Sequence, residues 1–476
     1  MGSVITFVSL AIVGLTAIFL PWVGIAAAYL IGILNPQSIW WWNFEGIRPV
    51  YWVLLPTLLG AAIMGLRGQL IWGSLNNTRV FCLLLIWAAG MVSWWLAPYS
   101  VTVASEAELS TRGAAFILEN LSKIILLALV GTLCVRGSRQ ISMMAVVMLI
   151  AGLYLTWWIN NRYLFEGAWG RIGGPISIDG SGIYTDENLF GTLFVVVFPF
   201  VWYAASGVRR IWLKYALLLM VPFTWHGVFL TGSRGALLAL GATMLVIVLR
   251  MKRRSLGVGL VVLFAVAFFW QAGDTMKGRA AGLDEYSEDA SATGRLDAWE
   301  AGARMMVANP LTGVGPGAFL RAFPDYSPRQ PLQAHNTFIQ FGAEFGPIAL
   351  IAVAVMLGSC IRSLWRITPS GGLNESAALD PNLLVREATL AAITGLTVSA
   401  LFLSLQLFEV MYFLVFMTNV LVAQHQIDSS EQRNAPLPQK NQLPGNATLN
   451  GLLPARWDSQ PPPKESSSSD EIPRHD

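Results

Sequence analysis

The sequence predicts an all-α, polytopic integral membrane protein with about 12 transmembrane helices and one large outward loop that contains amphipathic helices. Three observations predict it. Hydrophobic residues make up 54% of the 476 residues and charged residues only 12%, with a mean hydropathy of +0.55. Apolar runs close to the roughly 20 residues that cross a bilayer recur along most of the chain. Nineteen tryptophans are present, the residue that collects in interfacial belts. A water-soluble fold of this length needs far more polar surface, so soluble classes are excluded.

The apolar spans fall near 4–20, 22–34, 50–66, 79–97, 113–135, 141–159, 187–205, 212–230, 233–250, 256–271, 337–362, 387–407 and 409–425. Pro21 separates the first two, which suit a broken or re-entrant pair, and Glu409 softens the last boundary. Residues 1–20 lack a basic flank and a small-residue cleavage motif, so they read as a retained anchor. The chain divides into a membrane domain, 1–425, which includes a loop at 273–334, and a tail, 426–476. The tail is rich in Pro, Ser and Gln without periodicity and is expected to be disordered.

Charge patterning orients the helices. Arg136 and Arg139, Arg209, Arg210 and Lys214, Arg250, Lys252, Arg253 and Arg254, and Arg362 and Arg366 occupy alternate short loops, which the positive-inside rule assigns to the cytoplasm. The opposite loops carry Glu106 and Glu108, residues 160–185, a tight turn at 231–234, and the 273–334 insertion. The net charge of +3 is small and scattered, which gives no support for nucleic-acid binding. Cys82, Cys134 and Cys360 are dispersed in apolar segments and suggest neither disulfides nor a metal cluster. The four histidines are isolated and no Asp-x-Asp pair occurs, so local spacing builds no metal cage.

Two motifs meet at the outward side. Arg234 in "TGSRGALLAL" heads one helix, and His335 in "QAHNTFIQFGAEFGPIAL" heads another. Between them, "TGRLDAWEAGARMMVANPLTGVGPGAF" places Leu296, Trp299, Ala303, Met306 and Val307 at helical spacing before "NPLTG" ends the helix. Arg295 is expected to begin that amphipathic helix, which would lie over the mouth. Two guanidiniums and an imidazole facing one cavity suit a phosphate-bearing anion, because a guanidinium presents a permanent donor fork to phosphate oxygens.

These motifs, in this order and spacing, resemble those of the bacterial O-antigen ligase and O-antigen polymerase superfamily of lipid-linked glycan ligases. The opening "PWVGIAAAYLIGILNPQSIWWW" is similar to the ligase-like subgroup, and the resemblance covers most of the chain except the tail. It implies a membrane glycosyltransferase on the periplasmic side of the bacterial inner membrane, without nucleotide sugar, cofactor or metal. The donor would be a glycan on undecaprenyl diphosphate, and the acceptor a hydroxyl of a lipid A core sugar or a protein. By the same resemblance Arg234 and Arg295 would hold the donor diphosphate, and His335 would take the acceptor proton or orient the hydroxyl. Asn336 would support the histidine or the sugar, and Asn188 would line the cavity on family grounds alone.

Each assignment has a plainer competitor. Arg234 could snorkel to lipid phosphate, Arg295 could form a surface ion pair with Asp297 or Glu300, and His335 could be an interfacial helix cap. Glu344 lies nine residues after His335, on the opposite side of an ideal helix, so it is left outside the site and expected to be protonated or bonded to a neighbouring helix. His226 reads as a satisfied core histidine. In "YTDENLFGTLF" Thr185 is the expected helix cap, with Asp186 and Glu187 favouring the positive helix end. Two other functions stay open: polymerisation of lipid-linked repeats, and non-enzymatic transport or flipping of a lipid-linked anion. Transport fits less well, because the polar set gathers at one mouth rather than at the bilayer midplane in repeated halves.

Overall fold

The computed structural model describes residues 2–45, 47–100, 113–176, 182–251, 254–271, 290–367 and 380–434. These form helices, turns and connecting segments, with no strand among the described residues. Glu106, Glu108, Lys252, Arg253, residues 273–289 and the tail from 435 onward lie outside them. By contacts the chain divides into Met1–Ile427 and Asp428–Asp476. The last helix, Glu409–Asn434, runs past the expected start of the tail at 426 into the polar stretch "QIDSSEQRN".

Among the described residues, ten helices are long and apolar enough to cross a membrane by length and composition. The Arg234–Arg250 helix has only 17 residues, and Pro381–Ser399 carries Arg386 and Glu387, so neither stands out by length and hydropathy alone. The first two spans are separate helices, Gly2–Phe19 and Pro21–Leu34, which pack on each other and on Pro49–Leu66.

Two expected spans are divided differently. Residues 337–362 do not form one helix: Thr337–Phe345 ends at Gly346, whose φ of 93° few other residues adopt, and Pro347–Ile367 begins after it. The span expected at 387–407 is the Pro381–Ser399 helix, capped by Asp380 and followed by a turn. A charged residue sits inside that helix because Glu387 meets Arg250 at 3.0 Å (Nη2 to Oε1), both side chains being buried. Such a pair is tolerated away from water because each charge is the other's partner.

At the core is Glu187–Gly207, with Phe190 to Val201 buried throughout, between Ile211–Thr231 and Pro381–Ser399. Pro381–Ser399 also packs closely on Arg234–Arg250: a Cβ at Gly395 would lie 2.0 Å from Thr243 Oγ1. The buried Arg250–Glu387 pair ties these two helices together near one end. Arg234 lies at the far end of the first helix, and the turn at Ala400 follows the second.

The segment 290–345 is a smaller packed unit. Its long helix, Ala290–Ala308, starts before Arg295 and places that residue in its second turn, not at its beginning. It stops where "NP" at 309–310 predicts. Its buried face is Ala298, Ala301 and Met305, whereas Leu296, Ala303 and Val307 of the expected face are exposed. Small residues win that face because the Thr337–Phe345 helix approaches so closely: a Cβ at Gly302 would lie 2.5 Å from Ile339 Cγ2.

Candidate active site

The site is built around a short clamped turn. His335 has φ of 43°, a left-handed conformation that is uncommon for a residue with a side chain and is held only when its surroundings over-determine it. They do so here. Trp299 Nε1 donates to the Ala334 carbonyl at 2.8 Å. Asn336 is the N-cap of the Thr337–Phe345 helix, its Oδ1 accepting from the Phe338 and Ile339 amides at 3.0 and 3.1 Å, while its Nδ2 donates to the Leu401 carbonyl at 3.1 Å. The Thr337 amide donates to the Ala400 carbonyl at 2.8 Å and its hydroxyl to the Leu403 carbonyl at 2.6 Å. His335 is thus not part of a helix, and the turn at 400–403 braces it from the far side.

His335 lines a cavity of about 290 Å³. Asp186, Gln340, Glu344, Ser404 and Gln406 supply polar lining, and Ile117, Leu189, Phe319, Leu403 and Leu407 supply apolar lining. Burial lowers the His335 pKa from its ordinary value, the Arg295 cation lowers it further, and the Asp186 carboxylate opposes both. At neutral pH the ring is therefore a neutral acceptor. Asp186, not Thr185, caps the Glu187–Gly207 helix: its Oδ1 accepts from the Asn188 and Leu189 amides at 2.7 and 3.2 Å.

Glu344 belongs to this cavity, contrary to the helical-wheel expectation. That expectation assumed a helix continuous from 335, but His335 precedes the cap and faces the cavity from a non-helical turn. Glu344 is 1% exposed. Its Oε2 accepts from the Gly317 amide at 3.0 Å, and its Oε1 accepts a short hydrogen bond from Gln340 Nε2. The main chain is held too, since the Glu344 carbonyl accepts from Ser93 Oγ at 2.6 Å and from the Gly315 amide at 3.1 Å. Burial pushes the carboxyl up to about 7, only partly offset by donors to the carboxylate itself, the Gly317 amide first. The loop that wraps it needs glycine: at Gly313 φ is 63° and a Cβ would lie 2.5 Å from the Ala343 carbonyl oxygen.

The other expected residues are arranged unevenly. Arg295 does not line the cavity but acts on His335 electrostatically. Among the described residues Arg295 makes neither of the surface ion pairs weighed for it; Asp297 pairs with Arg329 and Glu300 with Arg304. Arg234 is also outside the lining; it begins its helix after the Ser233 cap, and the adjoining Gly235 packs on Phe402 of the turn that braces His335. Asn336 is a buried cap that holds the turn. Asn188 is not in the lining; its Oδ1 accepts from Arg171 Nη2 at 3.3 Å. His226 is the satisfied core histidine expected, with Nδ1 2.7 Å from Asn160 Oδ1.

Sequence reasoning missed Arg171, Gln340, Ser404 and Gln406. Arg171 Nε donates to the Thr231 carbonyl at 3.1 Å, and its Nη2 lies 3.4 Å from Glu187 Oε2, which ties the turn before Arg234 to the helix capped by Asp186. A lone arginine in a loop carries no signal of this. Gln340 and Glu344 are four residues apart, a spacing that could have marked them as a pair.

Residues 219–354 match the family model described as O-antigen ligase. The matched segment contains Arg234, Arg295, His335 and Glu344. A search of curated proteins found no match to the chain. That segment is thus similar to the O-antigen ligase family, and the long apolar helices among the described residues suit a multi-pass membrane protein.

Proposed function

From the match of residues 219–354 to the O-antigen ligase family model, we propose that the chain transfers a glycan from an undecaprenyl diphosphate carrier to an acceptor hydroxyl on a lipid A core sugar or a protein. The reaction takes place at the periplasmic face of the inner membrane. The acceptor oxygen attacks the anomeric carbon, the bond from that carbon to the diphosphate oxygen breaks, and the electron pair leaves with the lipid diphosphate. His335 takes the acceptor proton. Arg234 and Arg295 stabilise the charge that grows on the diphosphate, which their permanent cations can do without a metal ion.

The observation that carries this reading is the environment of His335. It is a ring biased to its neutral form, held in a strained but clamped turn at a cavity, with a cation and a carboxylate acting on it from two other segments. A neutral base beside a fixed positive charge is what hydroxyl attack on a diphosphate-linked sugar requires. Deleting the gene tests the function. Finished chains accumulating on the carrier lipid would identify a ligase, single repeats would identify a polymerase, and unchanged surface glycans would contradict both.

A further inference from the structure

The cavity contains a polar group that the proposed chemistry does not use. Gln406 is 6% exposed and lines the cavity, yet its Nε2 makes no hydrogen bond of acceptable geometry among the described residues. Leaving a buried amide donor unmade is costly, so such a group ordinarily has a partner in the working protein. Its neighbours are already engaged. Gln340 donates from Nε2 to Glu344 and accepts at Oε1 from Ser404 Oγ at 3.2 Å. Glu344 Oε2 is taken by the Gly317 amide. The Gln406 amide stands near enough to Glu344 to favour its charged form, but not in a geometry that satisfies Nε2.

The unsatisfied Nε2 offers a donor, and the second lone pairs of the Glu344 oxygens offer an acceptor, to one small polar ligand, and Leu403 and Leu407 add apolar surface in the same cavity. Vicinal hydroxyls of a pyranose match the first feature, because each hydroxyl both donates and accepts. The C–H face of the same ring matches the second. We infer that Gln406 and Glu344 form a sugar-hydroxyl subsite, which positions one ring of the transferred or accepting glycan beside His335. This rests on the transferase reading above and adds the residues that would hold the sugar itself.

Purified full-length protein in lipid nanodiscs tests it, with three probes titrated separately: undecaprenyl diphosphate, undecaprenyl diphosphate carrying one N-acetylglucosamine, and rough lipopolysaccharide with an unextended core. If the subsite holds the donor sugar, the sugar-bearing lipid binds the wild type at least fivefold tighter than the bare lipid. Gln406→Leu then removes that difference while binding the bare lipid unchanged. If it holds the acceptor, both lipids bind alike and Gln406→Leu weakens binding of the rough lipopolysaccharide at least fivefold. Because the substitution deletes an unsatisfied donor, the melting temperature should not fall; Gln406→Asn, which keeps an amide of shorter reach, serves as a second variant with the same expected losses. Unchanged binding of all three probes in both variants would overturn the subsite alone. Failure of the wild type to bind either lipid would overturn the donor reading and the subsite with it.

Discussion

His335 and Glu344 line one cavity although nine residues separate them, because the helix that carries Glu344 begins only at Thr337 and His335 stands before its cap. The arrangement puts two titratable groups of opposite burial response in the same space: the imidazole is driven toward its neutral form and so is the carboxyl. Acid and base chemistry around that cavity should therefore be readable in pH profiles.

The acid limb of kcat/KM should lie below the ordinary histidine value of about 6.5, since burial and Arg295 both depress the His335 pKa. Removing the cation in Arg295→Gln should move the limb upward. Asp186→Asn, which keeps a competent helix cap, should move it downward. Initial rates between pH 4.5 and 9 measure all three, and limbs that coincide would exclude His335 as the titrating group.

Arg234→Lys and Arg295→Lys should each lower the transfer rate at least about tenfold, because an ammonium cannot reproduce a two-pronged hold on phosphate oxygens. Full activity of Arg234→Lys would favour lipid snorkelling instead. Wild-type activity should persist in excess chelator, and restoration of a lost rate by a divalent cation would contradict a diphosphate held by arginines alone.

Glu344 should make stability pH-dependent. Its folded pKa, about 7, is above the unfolded value of about 4.5, so its contribution is fully present below 4.5 and lost as pH rises through 7. The loss is on the order of 3 kcal/mol. Melting curves should show the wild type weakening relative to Glu344→Gln across that window. A constant difference between the two proteins from pH 4.5 to 8 would show that the carboxyl is not shifted.

Asn336→Ala should destabilise the protein by about 1–2 kcal/mol, the usual cost of losing an N-cap. It also strands the Leu401 carbonyl and loosens the His335 turn, so the rate should fall by more than the folded fraction does. Asn336→Asp retains the cap and should recover most of the stability, measured by chemical denaturation. Equal rates for Ala and wild type would separate the cap from catalysis.

The membrane class and most helices were legible because hydropathy acts locally along the chain. The stop at Asn309–Pro310 was legible for the same reason. What could not be read were consequences of partners distant in sequence. Glu387 fits inside a helix only because Arg250 meets it, and His335 leaves the helix because Trp299, Leu401 and Ala400 hold its neighbours. Likewise, the buried face of the Ala290–Ala308 helix is set by the close approach of Ile339 at Gly302, so an apolar pattern alone pointed to the wrong residues. Gln406 carried no mark at all in the sequence, and its importance appears only as an unsatisfied amide in a cavity.

The central claim is that His335 receives the acceptor proton, and transfer by purified His335→Ala protein tests it most directly. With undecaprenyl diphosphate-linked glycan and acceptor both saturating, the rate should fall at least about 100-fold, as loss of a general base typically requires. The melting temperature and the binding of undecaprenyl diphosphate should stay near wild type. A rate within a few-fold of wild type would contradict the account.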